Sequence, residues 1–261
     1  MLIDIVVRAK DGHALTRECL QSIRKNTPPG SYRLILVDDG SDPALGDVLT
    51  DVYIRSRQNC GAVTATNAGI GFALWTEPEG HVLVMDNDTV IPDGDMGWLS
   101  RMEAEFVAGG LRTGAVGATT NYASGFQHVL RVPQTYSADW LDEKAGRGGM
   151  AQNPPVPVFV SFAVLIRKDV LRQLGPWDQR YNPGNWEDTD YSVQLRLAGW
   201  EIRVARSVYV KHVGHQTFKG NLARLLRENG EKFAAKWGVG TLFDLGIVGR
   251  EQMKEMLEMK P

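Results

Sequence analysis

Three short apolar runs, Ile3 to Val7, Leu34 to Val37 and Val82 to Met85, alternate with stretches whose apolar residues recur at helical spacing. This alternation is the rhythm of βα units around a parallel sheet. Leu15 to Lys25 reads as a crossover helix with Leu20 and Ile23 on one face, and Val63 to Trp75 as another. Between them lie a helix around Ala44 to Thr50 and a short strand near Val52 to Arg55. With 261 residues the chain can bury a substantial core. The expected fold class is therefore α/β: a Rossmann-like, mixed, mainly parallel sheet flanked by helices.

The strands end in polar residues on one side of that sheet. Val37 runs into Asp38-Asp39-Gly40-Ser41, and Met85 into Asp86-Asn87-Asp88. In open α/β sheets the ligand sits beyond the carboxyl ends of the strands, where their order switches. Both acidic stretches are delivered there and can share one ligand.

Regular patterning fades over residues 119–157, which include "GRGGMAQNPPVPV" and read as a loop or edge-strand connection. It returns in "FVSFAVLIRKDVLRQLG", a strand and then a short helix from Lys168 closed by Gly175. "DTDYSVQLRLAG" is a further helix with Tyr191, Leu195 and Ala198 on one face and Gly199 at its end. "WEIRVARSVYVKH" supplies strands, and Leu222 to Trp237 is an amphipathic helix in a C-terminal helical segment. There is no internal repeat.

A formal net charge of -2 and the lack of a basic stripe argue against a nucleic-acid partner. No apolar run reaches the ~18 residues of a membrane span. "MLIDIVVRAKDG" has no basic region or cleavage site and reads as a strand, not a signal peptide. Cys19 and Cys60 are the only cysteines, which suits a reduced, cytoplasmic setting with both as small core residues.

Five stretches carry possible chemistry. Asp86 and Asp88 at a strand end repel each other unless a cation or donor lies between them, and Mg²⁺ or Mn²⁺ with diphosphate oxygens is suited to that role; a solvated turn is the bland alternative. One carboxylate of Asp38-Asp39 can accept from a ribose hydroxyl or a base N–H, or else close an Asx turn. "NCGAVTATNAGI" offers Asn59 and Asn67, close backbone approach at Gly61 and Gly69, and a helix N-terminus that favours an anion. Glu187, Asp188 and Asp190 crowd a helix start, where the dipole favours acids, but one facing a cleft can serve as general base. His212 and His215 follow a strand, and an imidazole there can complete a metal site with the carboxylate pair.

In their order, "LVDDGSD", "NCGAVTATNAGI", "VMDNDTVIP", "GPWDQRYNPGNWEDTDYSVQLRLAGW" and "VKHVGHQTF" resemble family 2 glycosyltransferases of the GT-A fold, in the rhamnosyltransferase-like branch, over Ile3 to Gly238. The resemblance implies a metal-dependent, inverting transfer of a hexosyl group from a nucleoside diphosphate sugar to a hydroxyl of a glycan or lipid-linked acceptor, with Mn²⁺ or Mg²⁺ as cofactor. It places Ala9, Asp39, Asn67, Asp86 and Asn87 at the nucleotide sugar, Asp88 and His212 at the metal, Asp188 as catalytic base, and Trp186 and Glu187 toward the acceptor. It also implies a nucleotide-sugar-binding half, residues 1–118, an acceptor-binding and catalytic half, 119–218, and a C-terminal helical extension, 219–261, with peripheral membrane contact possible for a lipid-linked acceptor. One departure is that the first strand of this family leads into a Thr-Tyr-Asn-like turn, whereas here it reads Arg8-Ala9-Lys10-Asp11. Rival readings are a retaining GT-A transferase, a sugar nucleotidyltransferase and a noncatalytic nucleotide-sugar-binding domain. "RAKDGHA" matches poorly the Gly-rich phosphate loop that the second would need, and the third would be expected to have lost its acids.

Overall fold

A computed structural model describes residues 2–46, 49–123, 125–128, 153–214 and 221–246. Its main sheet has seven strands: β1 (Ile3–Ala9), β2 (Tyr32–Asp38), β3 (Val52–Arg55), β4 (His81–Asp86), β6 (Thr113–Thr119), β7 (Ala163–Arg167) and β8 (Glu201–Tyr209). They lie in the order β3-β2-β1-β4-β7-β6-β8. All run in one direction except β7, which pairs antiparallel with both β4 and β6. A two-stranded antiparallel ribbon of β5 (Thr89–Val90) and β9 (Lys211–His212) stands beside the sheet.

Strand alternation builds two cores. Ile3, Ile5 and Val7 of β1 join Leu34, Leu36, Leu83 and Met85 on one face, whereas Val6 joins Ile35, Val37, Val82 and Val84 on the other. Helix α1 (His13–Asn26) covers the first face with Cys19, Leu20 and Ile23. Helix α2 (Ala62–Thr76) covers the second with Val63, Ile70 and Ala73. Helices α3 (Trp98–Gly109), α4 (Lys168–Leu174), α5 (Glu187–Leu197), α6 (Leu222–Trp237) and α7 (Val239–Asp244) follow in chain order. At the amino end of β1, buried Asp4 holds Lys168 at 2.7 Å and Arg33 at 2.6 Å. This ion cluster pins three elements at the end of the sheet opposite the strand termini that carry Asp39 and Asp86.

Three expectations change. Ala44 to Gly46 and Leu49 to Thr50 form no helix, because Asp38 accepts from the backbone N–H groups of Ser41 and Leu45 and from the Tyr53 hydroxyl, holding an open loop. Asp47 and Val48 lie outside the described residues. Cys60 is exposed, unlike buried Cys19, because its N–H is turned inward onto Asp39 Oδ1. The stretch from Gly94 to Ala118, to which the sequence pattern assigned nothing, contains α3 and most of β6. Of the connection over residues 119–157, His128 bridges to Thr120 and Val156 to Ile202, while residues 129–152 lie outside the described part.

Candidate active site

Strand order switches around β1, between β2 and β4. Register there sets Arg8 beside Asp86 and Ala9 beside Asp38. A cavity of about 640 Å³ opens beyond these ends, lined among others by Arg8, Ala9, Asp39, Asp86, Asn87, Asp88, Glu187 and His212. The placement is what the general rule for open α/β sheets requires.

The ribbon completes the acidic end. Thr89 pairs with His212, which carries the imidazole from far along the chain to the residue after Asp88. His212 Nε2 lies 3.2 Å from Asp88 Oδ1 and 3.8 Å from Asp86 Oδ2. Its Nδ1 lies 2.8 Å from the Tyr122 carbonyl oxygen. A carbonyl only accepts, so Nδ1 carries a proton, and in the neutral ring the lone pair sits on Nε2, facing the two acids. Burial works against the imidazolium, but the Asp88 hydrogen bond and the charges of Asp86 and Asp88 override it, so the ring's pKa is raised. One ligand atom from each of Asp86, Asp88 and His212 lies within 4.8 Å of the others. Six-coordination at ~2.1 Å spaces ligands about 3 to 4.2 Å apart, so two carboxylates and an imidazole at this separation fit Mn²⁺ or Mg²⁺ with room for water or phosphate oxygens.

The loop that carries these acids is tied to α1. Asn87 Nδ2 donates to Thr16 Oγ1 at 2.7 Å, and Thr89 Oγ1 donates to the Asp86 carbonyl at 2.7 Å. Cys19 lies beneath them, its thiol pushed up to about 12 by burial, which makes it an inert support.

On the opposite wall, Asp39 accepts from Cys60 N at 2.7 Å and Gly61 N at 2.9 Å and still lines the cavity. Asn67 does not line it; both edges of its amide are taken by the Trp177 backbone, at 2.8 Å each.

Helix α5 supplies the third group. Glu187 is buried, lines the cavity, and its Oε2 has no hydrogen-bond partner. Asn185 also lines the cavity with an unpartnered Nδ2. Asp188 is half-buried and accepts from Thr189 N at 2.7 Å and Ser161 N at 3.3 Å. Burial raises the pKa of both acids, and Asp188 adds repulsion at Glu187, while Arg8 works to lower both. Asp190 points away: it accepts from Tyr181 Oη, Gln194 Nε2, Lys236 Nζ and Trp237 Nε1 and ties α5 to α6. Trp186 does not line the cavity. Its Nε1 donates to the Leu226 carbonyl and its ring packs on Phe233 at 4.8 Å, so it braces α6.

The sequence pattern missed Arg8, Asn185, Tyr122 and Ser161. Arg8 donates from Nε to Asp86 Oδ1 at 2.7 Å, from Nη1 to Thr66 Oγ1 at 2.9 Å and from Nη2 to Ser161 Oγ at 2.8 Å. Its place in "RAKDG" was a signal, a charged residue completing an otherwise apolar strand, but its partners are 58 to 153 residues away. His215 lies outside the described residues.

The sequence profile of "Glycosyl transferase family 2" matches residues 4–175. The "Uncharacterized glycosyltransferase YaiP" of Escherichia coli (strain K12) is 27% identical over 217 residues, 80% of this chain and 51% of that relative. The chain thus spans about half the length of the relative it matches. In fold it is similar to the mannosyltransferase PcManGT from Pyrobaculum calidifontis, solved with GDP-Man and Mn²⁺ (TM-score 0.60, 14% identity, 86% of this chain and 60% of that one). It is also similar to GalNAc-T7 solved with UDP, GalNAc and Mn²⁺ (TM-score 0.58, 15% identity, 81% and 44%) and to S. aureus TarS 1-349 with UDP-GlcNAc (TM-score 0.56, 16% identity, 83% and 59%). With the profile matched over residues 4–175 and the fold similar to that of these enzymes, the chain belongs to glycosyl transferase family 2 and has the GT-A fold.

Proposed function

We propose that this protein transfers a hexosyl group, with inversion, from a nucleoside diphosphate sugar to a hydroxyl of a glycan or lipid-linked acceptor, and that Mn²⁺ or Mg²⁺ is required. The observation that carries the reading is the convergence of Asp86, Asp88 and His212 at the floor of the cavity beyond the strand ends. Asp88 and His212 would hold the cation with Asp86 beside them, and the cation, when bound, supplies positive charge against the departing diphosphate. Asp39 orients the nucleoside, with Ala9 as a small floor for it. The orphaned Glu187 and Asn185 atoms suit hydroxyl groups of a sugar.

Asp188 takes the acceptor's proton in this reading. Burial raises its pKa, and the two backbone N–H bonds that its carboxylate accepts act against that rise, toward the ionised form a base needs. A second reading makes Glu187 the base, because Glu187 and not Asp188 lines the cavity. Its unpartnered, buried carboxyl instead favours keeping a proton, so we assign it to hold an acceptor oxygen.

A panel of nucleotide sugars assayed with Mn²⁺ for turnover, hydrolysis included, tests the activity. Asp188→Asn is expected to lower the rate about 10²- to 10⁴-fold with the donor Kd nearly unchanged, and Glu187→Gln to retain more. A near-normal Asp188→Asn rate with an inactive Glu187→Gln protein moves the base to Glu187.

A further inference from the structure

We infer that Arg8 is a positioning residue that joins the two acid groups of the cleft into one unit and keeps Asp188 able to accept a proton. The inference deepens the transferase reading and rests on it. A guanidinium presents its N–H donors in one rigid plane. Here that plane is held by Asp86 at the end of β4, Thr66 on α2 and Ser161 on the segment before β7, so it cannot rotate without breaking contacts from three separate parts of the fold. Thr66 gives its own hydroxyl proton to the Ala62 carbonyl at 2.9 Å, which leaves its oxygen free to accept from Arg8. Ser161 works in both directions: its Oγ accepts from Arg8 Nη2, and its backbone N–H donates to Asp188 Oδ2. A continuous path of contacts therefore runs Asp86, Arg8, Ser161, Asp188.

The charge arrangement gives that path a purpose. Arg8 is a buried cation at the cavity floor, 9% exposed. The charged groups acting on it are Asp86 from β4 and Glu187 and Asp188 from α5; Thr66 and Ser161 are neutral. Across the cleft, His212 and Asp88 face Asp86. Two adjacent acids, Glu187 buried and Asp188 half-buried, with a third close by repel one another and hold protons, and a protonated Asp188 is no base. The fixed positive charge of Arg8 opposes this. Lysine would keep the charge but could not hold three partners in one plane.

The test needs no ligand. In protein labelled with ¹³C at the Asp and Glu side-chain carboxyls, without added metal, the titrations of Asp188 and Glu187 are assigned with Asp188→Asn and Glu187→Gln and followed in Arg8→Met, Arg8→Lys and Ser161→Ala. Arg8→Met is expected to raise the Asp188 midpoint by about one pH unit or more. Arg8→Lys and Ser161→Ala should raise it less, in that same direction, and they carry the test if Arg8→Met does not fold. The rising limb of the pH profile for nucleotide-sugar turnover should move with it. Midpoints equal to wild type in every folded variant overturn the inference and make Arg8 a purely structural link. Shifted midpoints in a protein that turns over no nucleotide sugar leave the coupling standing and sink the transferase reading instead.

Discussion

Glu187 departs far from what a glutamate does in water. It sits at the first position of α5, buried, with one carboxyl oxygen unpartnered and Asp188 next to it, and burial followed by that neighbour raises its pKa. In the unfolded chain it ionises in the ordinary carboxylate range, so between that range and the raised folded value the native state holds a proton that the unfolded state has lost. Stability therefore falls as pH rises through this window, by about 1.4 kcal/mol for each unit of elevation. Glu187→Gln stays neutral throughout. Its melting temperature is expected to exceed the wild type's increasingly from pH 5 to pH 8.5, and a constant or shrinking difference would contradict the assignment. Of the site, the acids were legible because each stands at an element end on the side where the strands terminate: Asp39 directly follows β2, Asp86 closes β4, and Asp188 lies in the first turn of α5. Arg8 was not, since an arginine in a strand acquires meaning only from Asp86, Thr66 and Ser161. Asn67 shows the opposite failure. Its amide reads as a ligand group from position alone, and tertiary pairing with Trp177 consumes it.

At the scale of elements, the placement of Glu187 and Asp188 depends on how α5 begins. Asn185 and Trp186 enter the helix with φ of 73° and 74°, a left-handed backbone that costs a bulky residue about 1–3 kcal/mol unless the surroundings hold it. Helix α6 does the holding: buried Asn229 donates through Nδ2 to the carbonyls of Tyr181, Gly184 and Asn185, and Trp186 is fixed on Phe233 and the Leu226 carbonyl. Asn229→Ala removes the side-chain donor from these carbonyls, of which that of Tyr181 keeps the Gly184 N–H, and is expected to destabilise the fold by about 1–3 kcal/mol. It should also lower kcat more than it weakens donor binding, because Glu187 and Asp188 follow directly on the released turn. Urea unfolding together with kcat and KM checks this, and an unchanged kcat in a destabilised protein would separate α6 from the chemistry. The amphipathic pattern of Leu222 to Trp237 made α6 readable to the residue. Strand β6 was not readable, because "TGAVGAT" has few residues of high strand propensity. The structure explains the choice: a Cβ at Gly117 would lie 2.6 Å from the Gln127 amide nitrogen, so packing, not propensity, dictates a small residue.

Across the whole molecule, the two ends of the sheet have different tasks. The amino ends are closed by the buried Asp4, Lys168 and Arg33 cluster, while the carboxyl ends leave acids, an imidazole and a guanidinium around an open cavity. Among the described residues no helix is long and apolar enough to cross a membrane. The βα rhythm made this polarity of the sheet legible early, since parallel strands must end on the same side. That Asp86 and Asp88 could meet His212 was legible from residue chemistry and the order of motifs, but not how, because a ribbon of two-residue strands performs the joining. That meeting is the central claim. Isothermal titration of a nucleoside diphosphate, with and without Mn²⁺, into wild type, Asp88→Ala and His212→Ala tests it most directly. Mn²⁺-dependent binding to the wild type is expected, with a loss of at least about 10-fold in each variant and a residual affinity insensitive to Mn²⁺. Binding of equal strength in all three proteins, with or without the cation, would contradict it.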